Sequence, residues 1–216
     1  MTANTRTSEH VEAFVAAIPR VSTFEFCFQN ESGQDEALWA KPAFINAATH
    51  KVVSRRQLFD TALRVASGLR ATLASGGQGL IRGDVILLLS SHDIHYPTVV
   101  FGALAAGTPI ACSSAAQTEK ELAHQIRLVR PKHYFVQPAL LKVFIDAASI
   151  AGLDLSGLKT RITLLCEASD VPQELANQGL ATLSHLVDRP HRFAPVDFDG
   201  EQAHQVRVTL HLMCTK

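Results

Sequence analysis

Residues 83–89 of the chain, Gly-Asp-Val-Ile-Leu-Leu-Leu, decide its fold. Arg82, Gly83 and Asp84 make a turn, and five consecutive apolar residues follow, from Val85 to Leu89. An unbroken apolar run of this length is typical of a central parallel strand covered on both faces, because a strand with one wet face alternates apolar and polar residues. The run therefore predicts a parallel sheet with helices on both sides.

Two capping boxes mark helix starts before and after this strand. In Ser54-Arg55-Arg56-Gln57 and in Thr118-Glu119-Lys120-Glu121, the first and last side chains can satisfy the free N–H groups of a first helical turn. Apolar residues follow each box at helical spacing. We expect the first helix to end at the loop 74–79 and the second near Arg130, before Pro131.

Strand and helix patterns alternate through the rest of the chain. Asp93 is a candidate N-cap for a helix that runs to about Ala106, with Pro97 in its first turn and Gly107 as its C-terminal cap. The pattern predicts further strands over 108–112, 134–136 and 162–165, and a further helix over 138–151. The connections are too long for hairpins, so the expected fold is α/β, a doubly wound, mostly parallel sheet with flanking helices.

The two ends of the chain have a different pattern. Residues 1–40 are interpreted as an extended N-terminal segment, because 21–28 mixes apolar and polar residues and 30–34 is rich in turn formers. The domain is expected over 41–216, with 167–200 mostly loop around a short helix. Residues 206–213 alternate apolar and polar side chains, as in a strand with one buried face.

Composition excludes several classes of protein. The chain has 216 residues, with 20 Lys plus Arg balanced by 20 Asp plus Glu, so it lacks the basic excess of a nucleic-acid or anionic-membrane binder. Its four cysteines are far apart and form no Cys-x-x-Cys pair, and no signal sequence opens the chain, which favours the cytoplasm. The uncharged run 96–118 contains two prolines and two glycines, so we interpret it as a buried helix and strand rather than a membrane span.

Two motifs invite a functional interpretation that their context does not support. His92-Asp93-x-His95 follows a buried strand, where a metal or acid–base site is common, but two His without a third ligand fall short of a zinc set and Asp93 has a sufficient role as a cap. The glycine-rich loop 75–79 follows a helix and precedes a strand, whereas a phosphate loop has the opposite order. We interpret both as structural.

Nucleophiles and carboxylate pairs are equally uninformative. Ser113-Ser114 follows a strand but lacks the flanking glycines of a nucleophile elbow, and Cys112 and Cys166 are expected to be small buried apolar residues. Glu119 and Glu121 open a helix, where their charge favours the helix dipole. From the residues alone we assign no catalytic, cofactor-binding or metal-ligating side chain.

Three pieces of sequence together have the order and spacing of a known family. They are the turn Gly83-Asp84-Val85 into the apolar strand, the helix end Phe101-Gly102-Ala103-Leu104-Ala105-Ala106-Gly107, and Thr118 to Gln125, which is similar to T-x-x-E-L-x-x-Q. Over residues 40–150, and more loosely beyond, the chain resembles the N-terminal part of adenylate-forming acyl-CoA and 4-coumarate-CoA ligases. It departs from the family at 51–53 and at 89–92. The resemblance implies that 41–216 is a partial AMP-binding domain with the fold of that family's first subdomain.

The same resemblance implies a reaction and its cofactors. Such ligases activate a carboxylic acid with ATP and magnesium and then transfer the acyl group to coenzyme A, and this member resembles those of small-molecule or secondary metabolism. The family's Ser/Thr/Gly-rich phosphate loop ending in Pro-Lys has no match here, although 205–213 resembles the strand that precedes it. We therefore expect a truncated ligase-like chain, inactive alone and without cofactors of its own.

Two other functions remain open at this stage. The chain could be a non-catalytic α/β module that binds a protein partner or a second copy through an exposed C-terminal edge strand. It could also be a truncated or frameshifted gene product. Neither alternative gives the chain a nucleic-acid partner or a membrane span.

Overall fold

The computed structural model describes residues 21–28 and 36–188, and a parallel sheet lies at their centre. An antiparallel hairpin precedes it, and the strands in chain order are β1 (Pro42–Ile45), β2 (Val52–Ser54), β3 (Ile86–Ser90), β4 (Ile110–Ser114), β5 (His133–Val136), β6 (Ile162–Leu164) and β7 (Ala181–Thr182). Strands β1 and β2 form the hairpin, and the other five are all parallel in the order β4–β3–β5–β6–β7. The apolar run that predicted a central strand is β3, which has a neighbour on each side.

Helices connect these strands. In chain order they are α1 (Thr23–Phe28), α2 (Glu36–Ala40), α3 (Arg55–Arg70), α4 (Tyr96–Ala106), α5 (Glu119–Val129), α6 (Leu141–Ala151), α7 (Leu155–Leu158), α8 (Gln173–Ala176) and α9 (Leu183–Val187). Short 3₁₀ turns add Leu73–Ser75, Pro138–Leu140, Lys159–Arg161 and Ala168–Asp170.

Successive residues of β3 point to opposite faces of the sheet. Ile86 and Leu88 pack into an apolar core with α1, α3, α4 and α9, whereas Leu87 and Leu89 pack into a second core with α5, α6 and α7. All four side chains are buried. Helices therefore cover both faces, and the predicted doubly wound α/β fold is confirmed.

The local signals for helix ends are confirmed in detail. Ser54 and Gln57 form a reciprocal capping box at the start of α3, and Thr118 and Glu121 do the same for α5. Gly107 adopts the left-handed conformation, φ 68°, as the cap of α4.

Several predicted boundaries are shifted. Helix α3 ends at Arg70, before the loop 74–79, and the helix expected from residue 138 opens with a 3₁₀ turn and becomes α-helical at Leu141. Helix α4 begins at Tyr96 rather than just after Asp93, because the Asp93 carboxylate accepts the N–H of His95 in a turn that precedes the helix. Strand β4 begins at Ile110 rather than at Thr108, whose hydroxyl instead donates to the Ala103 carbonyl at 3.1 Å.

The expected extended conformation of 1–40 is wrong for two described stretches, since α1 and α2 are helical. Ser22 and Glu25 form a capping box at the start of α1, and Phe24 and Phe28 are buried in the first core. The ring centroids of Phe28 and Phe101 lie 5.1 Å apart, so α1 packs against α4. The division at residue 40 stays a prediction.

The region after 167 has more regular structure than expected. It contains α8, the two-residue strand β7 and α9, and β7 pairs with β6 at the edge of the sheet. The predicted strand at 206–213 lies outside the described residues.

The uncharged run 96–118 forms α4, β4 and the turn after them, as predicted. Among the helices of the described ranges, none has the length and apolar character needed to cross a bilayer.

Candidate functional site

A cleft opens where the chain reverses its direction across the sheet. From β3 the chain passes through α4, on the first face, to β4, and from β4 it passes through α5, on the second face, to β5. The helices that follow β3 and β5 therefore diverge and leave a crevice at the carboxyl ends of these strands, which is where open α/β sheets bind ligands. The cleft has a volume of about 860 Å³.

Gln137 ties the ends of the two strands together at the base of this cleft. Its side-chain oxygen accepts the Ser91 N–H at 2.9 Å and the Ser91 hydroxyl at 2.8 Å, and the backbone N–H of Gln137 donates to the Leu89 carbonyl at 2.9 Å. One side chain therefore satisfies two donors from the end of β3. This holds the base of the cleft in one geometry.

The walls of the cleft carry more negative than positive charge. Lys51 and Lys142 are the cations among the described lining residues, whereas the anions are Asp93, Asp146, Asp170 and Glu174. Lys51 pairs with Glu167 beside the cleft, and Lys142 pairs with Asp146 at 2.6 Å. Since its lysines are already paired, the cleft offers little attraction to a triphosphate.

Cys166 lies in the cleft as an unreactive thiol. Burial, followed by the negative charges of Asp170 and Asp93, raises the pKa of the Cys166 thiol to about 11. A thiol with this pKa is protonated near neutral pH, and the thiolate is the nucleophilic form. The expectation of a small buried residue is met here, with Cys166 6% exposed.

The His92-Asp93-x-His95 motif does not form a polar cluster. His95 and Asp93 line the cleft, whereas His92 is exposed and does not line it. Across residues 21–28 and 36–188, no three His, Cys, Asp or Glu side chains come close enough together to hold a metal ion. The hydrogen bond from the His95 N–H to Asp93 supports the structural interpretation of this motif.

The glycine-rich loop 75–79 has no amide donors to offer an anion. The N–H groups of 76, 77, 78 and 79 donate to carbonyls of Leu73, Thr72, Gly68 and Ala71 at 2.7–3.0 Å. A Cβ at Gly77 would lie 2.1 Å from the Ala71 oxygen, so this glycine is needed for close backbone packing. Its interpretation as a connector is supported.

The hydroxyl pair on β4 also has structural partners. Ser113 donates to the buried Gln125 at 2.9 Å, and Ser114 accepts the Ala116 N–H. The expectation that Cys112 is buried is wrong, because β4 is an edge strand and Cys112 lies on its exposed side. Hydrogen bonds from Thr118 lower the pKa of Glu121, which confirms its capping role.

Sequence reasoning missed most of the cleft lining. Gln137 could have been found, because it directly follows a predicted strand and the carboxyl ends of parallel strands meet at one edge. Lys51 on the hairpin and Asp170 in a 3₁₀ turn carry no such signal, since only the tertiary structure brings them to this edge.

Sequence relatives of the chain include CoA ligases. It is 32% identical over 149 residues to the phenylacetyl-CoA ligase epaB of Aspergillus niger, an alignment that covers 68% of this chain and 25% of that protein. It is 35% identical over 115 residues to the probable CoA ligase CCL5 of Humulus lupulus, covering 53% of this chain and 19% of that one. The chain thus spans about a quarter or less of the length of these relatives.

Solved structures share its fold. The luciferase-like enzyme from the nonluminescent Zophobas morio mealworm superposes with a TM-score of 0.64 at 17% identity, covering 83% of this chain and 37% of that one. The benzoate CoA ligase of Burkholderia xenovorans LB400 superposes with a TM-score of 0.60 at 19% identity, covering 81% and 30%. The family model described as AMP-binding enzyme matches residues 34–202, most of the chain. The chain therefore belongs to the family of AMP-binding enzymes.

Proposed function

We propose that the chain is the N-terminal part of an acyl- or aryl-CoA ligase, which activates a carboxylic acid with ATP and magnesium and transfers the acyl group to coenzyme A. The observation that carries the proposal is the family match over residues 34–202. The names of the relatives, a phenylacetyl-CoA ligase and an acyl-CoA ligase of Aspergillus niger, support a small organic acid as substrate. A role in secondary or small-molecule metabolism is part of the same proposal and rests on the resemblance of residues 40–150 to ligases of that type.

We propose further that these 216 residues do not catalyse adenylation by themselves. Adenylation needs preorganised donors around a triphosphate, because positioning and charge stabilisation supply most of its rate. The loop 75–79 has its N–H groups bonded to carbonyls, and the cleft at the carboxyl edge of the sheet is lined by more carboxylates than lysines. Neither feature can hold ATP in a reactive geometry.

Isotope exchange between pyrophosphate and ATP tests the inactivity. The purified 216-residue chain is assayed with magnesium and a panel of aromatic and fatty acids, with an intact aryl-CoA ligase as the positive control. We expect no acid-dependent exchange above the background without protein. Exchange that rises with chain concentration would refute the inactivity.

A graft tests the ligase assignment itself. The part of the Aspergillus niger phenylacetyl-CoA ligase that aligns with this chain is replaced by the corresponding residues of this chain. We expect phenylacetyl-CoA formation to persist at a reduced rate. A chimera that unfolds cooperatively on heating but forms no product contradicts the assignment. If this chimera is insoluble, a second chimera that carries only residues 83–130 of this chain is measured in the same way.

A second candidate, a partner-binding module, is favoured by one observation. Strand β4 is an edge of the described sheet, with Cys112 and Ser114 exposed along it. An open edge can accept a strand from a second copy or from another protein. Sedimentation over a hundredfold range of concentration separates the two functions, because a rising average mass supports the module and a constant monomer mass counts against self-association.

We place the protein in the cytoplasm as part of the same proposal. Its four cysteines are widely spaced, and the three that the structure describes are free thiols, as in a reducing compartment. Fractionation of cells that produce the protein checks this, and recovery in an organelle or membrane pellet would overturn it.

A further inference from the structure

A second, smaller hollow lies at the opposite edge of the sheet, where β5 and β6 begin. Its volume is about 470 Å³, within the range of small-molecule sites. Four of its lining residues are cations, namely Arg127, Arg130, Lys132 and Arg161, and none of the lining residues that the structure describes is acidic. The hollow therefore concentrates positive charge in a concave site.

Backbone carbonyls hold two of the guanidinium groups in place. Arg161 donates from Nε to the Lys132 carbonyl at 2.7 Å and from Nη2 to the Pro131 carbonyl at 2.5 Å, and Arg127 donates to the Ile150 carbonyl at 3.0 Å. None of the four cations forms an ion pair with a carboxylate within 21–28 and 36–188. Their charge is therefore positioned but not neutralised, and both guanidinium groups keep N–H donors to spare.

The hollow also contains a buried hydroxyl whose proton lacks an acceptor. Tyr134 is fully buried, its ring centroid lies 4.9 Å from that of Phe144, and its Oη has no acceptor for its proton among the described residues. Burial raises the pKa of Tyr134, and the charge and hydrogen bonding of the Arg161 side chain oppose that rise. The guanidinium carbon of Arg161 lies 5.2 Å from the centre of the Tyr134 ring. Arginine is only a donor and cannot accept the hydroxyl proton, so this proton needs an acceptor from elsewhere. Buried polar groups without partners are rare in native proteins, and each calls for an explanation.

We propose that this hollow binds the phosphate group of a small molecule. A phosphate offers several acceptor oxygens and carries up to two negative charges, which matches a site made only of donors and cations. The remaining N–H groups of Arg127 and Arg161 donate to the phosphate oxygens, and the positive charges of Arg130 and Lys132 attract the anion. The Tyr134 hydroxyl donates its proton, which has no acceptor in the protein, to a phosphate oxygen. The site lies at the amino edge of the sheet, away from the carboxyl-edge cleft, and does not depend on the ligase assignment.

The variant Tyr134→Phe tests the proposal, because it removes only the hydroxyl. The folded chain is titrated calorimetrically with inorganic phosphate and, separately, with glycerol 3-phosphate, with ionic strength held constant by sodium chloride. We expect saturable binding of at least one probe, and about tenfold weaker binding to Tyr134→Phe, since a hydrogen bond to a charged group is lost. Tighter binding of glycerol 3-phosphate would identify a phosphate ester, and tighter binding of inorganic phosphate would identify the free ion.

A melting experiment without phosphate separates binding from a structural role. Because the buried hydroxyl proton lacks a protein acceptor, Tyr134→Phe is expected to melt at or above the temperature of the unchanged chain. Lys132→Gln is expected to weaken phosphate binding about threefold, as for an exposed charge, whereas Lys120→Gln, at the far end of α5, leaves it unchanged. The proposal is overturned by the absence of saturable binding, by equal binding to Tyr134→Phe, or by a clear drop in the melting temperature of that variant.

Discussion

His133 should make the stability of the protein depend on pH in the acidic range. It is the first residue of β5 and is fully buried, with Nε2 2.9 Å from the Thr163 hydroxyl and Nδ1 without a partner in the described structure. Burying a ring nitrogen that carries no hydrogen costs less free energy than burying an N–H without an acceptor. We therefore assign the proton to Nε2, which bonds to Thr163, and leave Nδ1 unprotonated. Burial, and then the positive charge of Arg161, lowers the pKa of His133 from 6.5 to about 3.

The sign and size of the effect follow from proton linkage. Between pH 3 and pH 6.5 the unfolded chain binds one more proton at this residue than the folded chain, so the free energy of unfolding falls as the pH falls. The slope is about 1.4 kcal/mol per pH unit well below pH 6.5 and vanishes above it. Between pH 7 and pH 5 the expected loss from His133 is therefore about 2 kcal/mol.

Urea unfolding at pH 7, 6 and 5 measures this loss in the unchanged chain and in His133→Gln. The amide of glutamine can still bond to Thr163 but does not titrate. Carboxyl groups with a lowered pKa, such as those of Glu121 and Asp154, also destabilise the fold in acid, but they do so in both proteins and cancel in the difference. We expect the unchanged chain to lose about 2 kcal/mol more than the variant.

Equal losses in the two proteins would refute the reasoning, because His133 would then bind its proton in the folded state. An independent measurement is the NMR signal of the His133 ring, which should show no titration between pH 5 and pH 8. A midpoint near 6.5 would mean that the ring is hydrated and that the β5–β6 contact is wrong.

Three further predictions concern packing, capping and reactivity. Gly102→Ala places a Cβ 2.6 Å from Val65 Cγ1 and should lower the free energy of unfolding, measured by urea denaturation, by about 1–3 kcal/mol. In the control Gly157→Ala the new Cβ meets nothing closer than 3.6 Å, so this variant should be neutral or slightly stabilising. Equal effects of the two substitutions would contradict the close α3–α4 packing. Thr118→Ala removes the N-cap of α5 and should cost about 1 kcal/mol by the same measurement, so an unchanged midpoint would mean that the cap does not act in solution. Iodoacetamide at pH 8 should alkylate the exposed Cys112 and spare Cys166, whose pKa of about 11 keeps the thiol protonated. Peptide mapping measures the labelling of each cysteine, and similar labelling of both would contradict the burial of Cys166.

The fold was predictable where a local signal and burial agree. The capping boxes at Ser54 and Thr118 and the apolar run of β3 each specify an element within a few residues, and their order specifies the parallel topology. Helix α1 was missed although its capping box, Ser22 to Glu25, is present in the sequence. Its two buried phenylalanines lie four residues apart, a spacing that also indicates a helix.

Other features could not be read from the sequence because they depend on contacts between distant segments. Strand β7 has only two residues, and pairing with β6 rather than its own sequence makes it a strand. Asp93 was predicted to be the N-cap of α4, but its carboxylate accepts the His95 N–H in a turn that comes before the helix. An N-cap and such a turn both favour Asp at the first position, so the sequence does not distinguish them. Cys112 is exposed because β4 is at the edge of the sheet, which is a property of strand order.

The neutral net charge of the chain conceals a separation of charge along the axis of the sheet. At the carboxyl edge, Asp93, Asp170 and Glu174 outnumber the lysines, whereas the hollow at the amino edge is lined only by cations among the charged residues described there. Equal totals of acidic and basic residues argue against an extended polyanion as partner, because such a ligand needs a continuous basic surface. They do not argue against one phosphate, which needs only a few donors in one place. Arg130 and Arg161 reach that place from the end of α5 and the start of β6, a proximity that only the parallel pairing of β5 with β6 creates.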